Sequence, residues 1–167
     1  RNRGREDVAV LERHQDALTR LGLAGSFAST GVMANIATER GPLGERAAIL
    51  PIWAQVNARL MAADTAGGIN PTTGFNFASE LLADGQADSA LVWYRAVAAS
   101  AAKRKDPVIE SRAQFGIVRS LSSLGRSVEA APALAQYLAM LRALKRPVDR
   151  DSLILSAGIA AARHDTA

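Results

Sequence analysis

His14 and His164 are the side chains best suited to proton transfer or metal ligation near neutral pH. They lie near opposite ends of the chain, and neither has an Asp, Glu or second His at ligand spacing. His14 falls on the stripe Leu11, His14, Leu18, Leu21, which predicts a half-buried structural histidine. A nucleophilic triad needs a histidine oriented by a third group, and no serine is singled out by such a grouping. The chain has no cysteine, which removes disulfides and thiolate metal sites. Gly41-Pro-Leu-Gly44 and Gly22-Leu-Ala-Gly25 lack the strand–glycine–lysine context of a phosphate loop and read as turns. Glu80, Asp84, Glu110 and Glu129 fall at helix starts and on exposed faces, where solvation and the helix dipole explain them. The expectation is a protein that is not an enzyme and carries no cofactor and no metal.

Cations give a second pattern. Lys103, Arg104 and Lys105 form one group, and Arg142, Lys145 and Arg146 form another about 40 residues on. Both groups are predicted to close helices of adjacent repeats and to form one basic ridge. Cations at helix C-termini favour the dipole by roughly 0.3–1 kcal/mol each, which accounts for them without a ligand. The formal net charge is only +4, from 20 Lys+Arg against 16 Asp+Glu, so nucleic acid is not the expected partner. The uncharged run Leu21–Thr38 contains Gly22, Gly25, Gly31 and Asn35, too polar for a span of ~20 apolar residues. No membrane association is expected. The chain opens on Arg1 with no signal-peptide pattern, and it is read as a cytoplasmic fragment of a longer protein.

The elements that carry these groups repeat. Sliding the chain against itself by 40 residues places Phe75 on Phe115, Leu81 on Leu121, Gly85 on Gly125, Ala90 on Ala130 and Pro107 on Pro147. Fixed-period self-similarity of this kind marks a solenoid. Ala90, Leu91, Tyr94, Val97, Ala98 and Ala101 form one helical stripe, and Ala130, Ala131, Leu134, Tyr137, Leu138 and Leu141 repeat it. Ahead of each lies another helix, ending at Gly85 or Gly125, where a left-handed residue has no steric cost. Pro107 and Pro147 are expected to stop the second helices. An earlier copy has Met33, Ala34 and Ala37 ahead of Gly41, then Ile49, Ile52, Trp53, Val56 and Leu60. The predicted organisation is a single domain over 1–167. It has a half pair at 5–21, helix pairs at 27–62, 72–105 and 109–146, and a half pair at 150–163. Half the chain is hydrophobic (49%) but only 5% is aromatic, which suits helices packed through alanine.

Gly85, Ala90, Tyr94 and Gly125, Ala130, Leu134 resemble the helical hairpin of the tetratricopeptide (TPR) family. That hairpin carries a glycine at the turn, a small residue five positions later and a bulky one four further on. The 40-residue period exceeds the usual ~34. It resembles the longer kinesin-light-chain-like repeats found in bacterial regulatory proteins, including Pro132 two residues after the small alanine. The likeness is specific over 71–147 and weaker over 27–62, where Arg46 rather than a small residue lies five after Gly41. The resemblance implies an all-α fold: an α-solenoid of antiparallel helix hairpins in a right-handed superhelix of about eight helices. It also implies a scaffold that binds a protein or peptide, as the interaction segment of a larger bacterial regulatory or signalling protein.

First helices of such stacks line a concave face. By register this face holds Asn35, Thr38 and Glu39, then Thr72, Phe75, Asn76 and Ser79, then Arg112, Phe115, Arg119 and Ser122. Amide and guanidinium groups there suit a peptide backbone or carboxylate, and Phe75 and Phe115 suit apolar contact. Asn35, Asn76 and Arg112 also match places used by carboxylate-clamp repeats, with Gly31 and Gly116 standing at two further positions that are basic there. Ordinary helix-surface polarity explains the same residues. The alternative function is self-association into a homo-oligomer, through apolar faces left open by the half pairs.

Overall fold

The computed structural model describes residues 2–64 and 68–164. Of the loop expected around 63–71, positions 65–67 lie outside the described residues, and so do the side chains of Arg163 and His164. The helices are α1 (Asn2–Arg20), α2 (Phe27–Arg40), α3 (Arg46–Ala63), α4 (Pro71–Ala83), α5 (Ala87–Lys103), α6 (Pro107–Ser123), α7 (Ser127–Ala143) and α8 (Arg150–His164). A single 3-10 turn spans Gly41–Leu43, and no strand occurs among the described residues. The chain forms two compact units, 1–80 and 81–167, with the boundary inside α4.

In the first unit α2 packs against both α1 and α3. Its buried side is Ser29, Thr30, Val32, Met33, Ile36 and Ala37. Ser26 caps its start, accepting a hydrogen bond from the Ser29 amide. α3 buries Ile49, Trp53 and Val56 and ends without a glycine cap. The sequence reading placed the apolar stripe of α1 one position too far round. The helix buries Val8 and Leu18 and half-buries Leu11 and Gln15, while His14 is exposed and Leu21 is 72% exposed. Gln15 fills the place expected for His14 because Ser29 gives its amide a partner at 2.7 Å.

The hairpin glycine of this unit is also corrected. Gly41 is right-handed (φ −53°), whereas Gly44 is left-handed (φ 80°) and closes the 3-10 turn. Five residues after Gly44 stands the buried Ile49, and nine after it the buried Trp53. These are the offsets of Ala90 and Tyr94 from Gly85 and of Ala130 and Leu134 from Gly125, all four of them buried. The exposed Arg46 thus leaves the register, although Ile49 is larger than the alanines at the same offset in the later copies, and Pro51 takes the same helix position as Pro132.

The second unit is built on one repeated turn. Four helices end with a left-handed residue: Gly85, Lys105, Gly125 and Lys145, at intervals of 20. In each, that residue's amide and the next one donate back to the last helical carbonyls. Gly85 N reaches Leu82 O at 3.1 Å and Gln86 N reaches Leu81 O at 2.9 Å. Asp106 N reaches Ala101 O at 2.9 Å, and Arg146 N reaches Leu141 O at 2.9 Å. The prolines therefore do not stop the second helices. α5 ends at Lys103, and Pro107 opens α6, with the Asp106 carboxylate accepting from Ile109 N at 3.0 Å. Pro147 lies in the connection before α8, whose first turn is held by Asp149 accepting from Ser152 N at 2.8 Å.

α6 is the central helix of this unit, packed on α5, α7 and α8. It buries Ser111, Ala113, Gln114, Gly116, Ile117, Val118, Ser120 and Leu121. A Cβ on Gly116 would lie 2.4 Å from the ring of Tyr94, which is itself buried. Glycine here leaves room for the ring against the α6 backbone.

Candidate functional site

In the first unit, the positions α2 leaves exposed include Gly31, Asn35 and Thr38, a single stripe at helical spacing. Phe75, Asn76 and Ser79 of α4 are half-buried. Thr38, Asn76 and Ser79 come together around a cavity of about 280 Å³, which is also lined by Gly41, Pro42, Trp53 and Glu80. Asn35 and Phe75 are not among its walls. Sequence reasoning missed Trp53 and Glu80 as site residues, although counting nine positions from Gly44 would have marked Trp53. The hydroxyl hydrogens at this site are already committed. Thr38 Oγ1 donates to Ala34 O and Ser79 Oγ donates to Phe75 O, both at 2.9 Å. The Glu80 side chain is 25% exposed, and its carboxylate has Arg46 Nε at 3.9 Å.

A second cleft of about 360 Å³ in the same unit has Met33, Ile36 and Ile52 among its walls, with Glu12, Arg40, Gln15 and Arg59. Its cations are engaged in structure. Arg40 pairs with Glu12 and, at 3.7 Å, with Glu45. Arg59 donates to Ala24 O at 2.7 Å and to Ser29 Oγ at 3.3 Å. Ser29 Oγ in turn donates to Ala24 O at 2.8 Å, so this buried cluster ties α1, α2 and α3 together.

In the second unit, α6 leaves a narrow stripe uncovered. Arg112 and Arg119 are exposed, and Phe115 and Ser122 are half-buried. Phe115 stacks on Tyr137 of α7 with centroids 5.0 Å apart, so part of its ring serves the hairpin. Lys103, Arg104, Lys105, Arg142, Lys145 and Arg146 are all exposed in the closing turns of α5 and α7. Lys105 and Lys145 carry the left-handed backbone there (φ 56° and 52°), and Arg142 Nε donates to Leu138 O at 3.3 Å. Elsewhere on this unit, Arg126 grips Glu129 with two hydrogen bonds of 2.7 and 2.8 Å. That contact holds the Glu129 carboxyl below its usual range and the Arg126 guanidinium above its own. Hydrogen bonds from the Ser152 hydroxyl and amide likewise lower Asp149.

Among the described residues no group of three or more His, Asp or Glu is placed to hold a metal ion. No described helix is long and apolar enough to cross a membrane.

Eight helices among the described residues, with buried residues five and nine positions after Gly44, Gly85 and Gly125, define a TPR-like α-solenoid fold. Among the solved structures that share it are two of a Podosopora anserina protein described as a kinesin light chain with nearly identical TPR-like repeats. A point variant of that protein superposes with a TM-score of 0.77 at 18% identity, covering 98% of this chain and 78% of the other. The second structure gives 0.76 at 18% identity, covering 98% and 79%. No family model matches the sequence, and no curated protein matches it.

Proposed function

We propose that this chain is a peptide-holding scaffold whose first-helix faces, on α2 and α4 in one unit and on α6 in the other, carry the contacts. The observation that supports this most directly is the cavity on which Thr38, Asn76 and Ser79 converge from two different helices. Arg112 and Arg119 on the uncovered stripe of α6 add guanidinium donors for a peptide backbone or carboxylate. Asn35, Phe75 and Phe115 flank these groups on the same helices. The fold is one that typically presents protein-binding surfaces, and binding of partners by TPR-like arrays is the precedent for this role. The kinesin-light-chain-like repeat length favours a place in a larger bacterial regulatory protein in the cytoplasm. The basic groups closing α5 and α7 are a weaker docking surface for an acidic partner, because helix C-termini attract cations without one.

The test is to select peptides from a random library on the intact chain and to map their shift perturbations by NMR. Perturbations gathered on Asn76, Arg112 and their helix neighbours support the reading. Perturbations confined to the outer faces of α5 and α7 end it. Self-association is favoured by a separate observation: Phe27 is 81% exposed beside the exposed Leu21 and Leu23, and Leu153 and Ile154 are exposed on α8. Light scattering that gives a monomer mass at every concentration ends that alternative.

A further inference from the structure

We infer that the first-unit cavity takes a cationic side chain, a lysine ammonium or arginine guanidinium presented by the bound peptide. The inference rests on the peptide-holding reading and assigns the chemistry of one pocket within it. The groups facing the cavity accept hydrogen bonds and have little to donate. The Glu80 carboxylate is acceptor-only, and Thr38 and Ser79 have spent their hydroxyl hydrogens on Ala34 O and Phe75 O. What Thr38 and Glu80 turn towards a ligand is lone pairs. Asn76 adds an amide that serves either way. The lining includes no Lys, Arg or His.

The carboxylate is also under-served. Glu80 keeps only a quarter of its side-chain surface in water, and its ion pair with the half-exposed Arg46 is long at 3.9 Å. A partly covered carboxylate with only one distant cation gains from a second charged donor. Trp53, buried at the edge of the same cavity, adds an aromatic wall favourable to a cation. An anionic side chain would meet the Glu80 carboxylate instead, so this pocket has the opposite sign from one that grips a carboxylate.

The experiment uses the full chain with Trp93→Phe, so that Trp53 alone reports. The probes are acetylated, amidated octapeptides of alternating Ala and Lys, and the same peptides with Glu in place of Lys. The Lys peptide is expected to bind and shift Trp53 emission. Glu80→Gln weakens it about tenfold, the loss of one hydrogen bond to a charged group. Arg46→Gln tightens it roughly twofold by removing a competing surface cation. Thr38→Leu fills the mouth and weakens binding without changing any charge. Asp88→Asn, a remote exposed carboxylate, leaves it unchanged, and helix content by circular dichroism confirms that each variant folds.

Equal weakening by Asp88→Asn and Glu80→Gln would reduce the effect to general attraction and overturn the assignment. So would tighter binding of the Glu peptide. If library-selected peptides map to the first helices while Glu80→Gln and Thr38→Leu change nothing for the Lys peptide, only the cation pocket fails. If no peptide maps there at all, the scaffold reading fails with it.

Discussion

The first unit ties its helices largely with buried polar side chains, and the second relies more on small residues and a repeated turn. In residues 1–80, Asn57 is buried on α3. Its amide donates to Trp53 O at 2.9 Å, and its carbonyl accepts from Thr73 Oγ1 of α4 at 3.0 Å. Ser29 does the same between α1, α2 and α3. In residues 81–167 the buried small residues Ala90, Ala101, Ala113, Ala130 and Gly116 let the helices approach closely, beside one polar tie in which Gln114 of α6 donates to Ala133 O of α7 at 3.1 Å, and left-handed caps recur every 20 residues. Polar ties need particular partners and cost stability when one is removed. Small-residue packing needs only close approach and is sensitive to added volume. The two units should therefore respond to opposite kinds of substitution.

The largest effect should come from adding volume in the second unit. Gly116→Ala puts a methyl group into the buried Tyr94 ring, and urea unfolding should show a loss of about 2–3 kcal/mol, despite alanine's better helix propensity. Tyr94→Ala in the same background should relieve most of that added cost, and an undiminished cost would break the packing account. Removing a polar partner in the first unit comes next. Ser29→Ala strands the Gln15 amide and one Arg59 contact, and should lose about 2 kcal/mol. A loss no larger than that of an exposed Ser→Ala change would show that the polar tie contributes nothing.

Smaller effects sharpen the turn argument. Lys105→Gly and Lys145→Gly should each stabilise the protein, by up to about 1 kcal/mol, because both lysines hold a left-handed backbone that glycine adopts freely. Gly125→Ala should move the melting temperature the other way. The smallest effect is a pH dependence at Asp149. Its carboxyl is held below the ordinary value by Ser152, so its contribution is present above the unfolded value of about 4 and is lost as pH falls through the lower folded value. Asp149→Asn should flatten the acid side of the stability curve and leave the neutral side little changed.

How far the sequence reached follows the same division. Over 71–147 alanines, glycines and aromatics recur in register, because hairpins packed mainly through small and apolar residues are specified largely by their own spacing. The lysine caps were not legible, since local preference puts glycine there and only the fold imposes φ > 0 on lysine. In the first unit the glycine nearest Met33 and Ala37 was Gly41, and the extra 3-10 turn that carries the chain on to Gly44 has no strong local signal. Gln15 on the buried side of α1 was equally hidden, because its partner Ser29 is contributed by another helix. At the candidate site, Thr38, Asn76 and Ser79 were legible from register, whereas Trp53 and Glu80 were not. Trp53 depends on the corrected glycine, and Glu80 depends on how α4 lies beside Gly41.

The most direct test of the scaffold account is the dissociation constant of one library-selected peptide for four proteins: wild type, Asn76→Ala, Arg112→Glu and Val92→Glu. Val92 is an exposed residue of α5, a second helix of its hairpin. The account predicts about a tenfold loss for at least one of the two first-helix variants, with no change in melting temperature, and an unchanged constant for Val92→Glu. Unchanged binding in both Asn76→Ala and Arg112→Glu, with a loss in Val92→Glu, would contradict it.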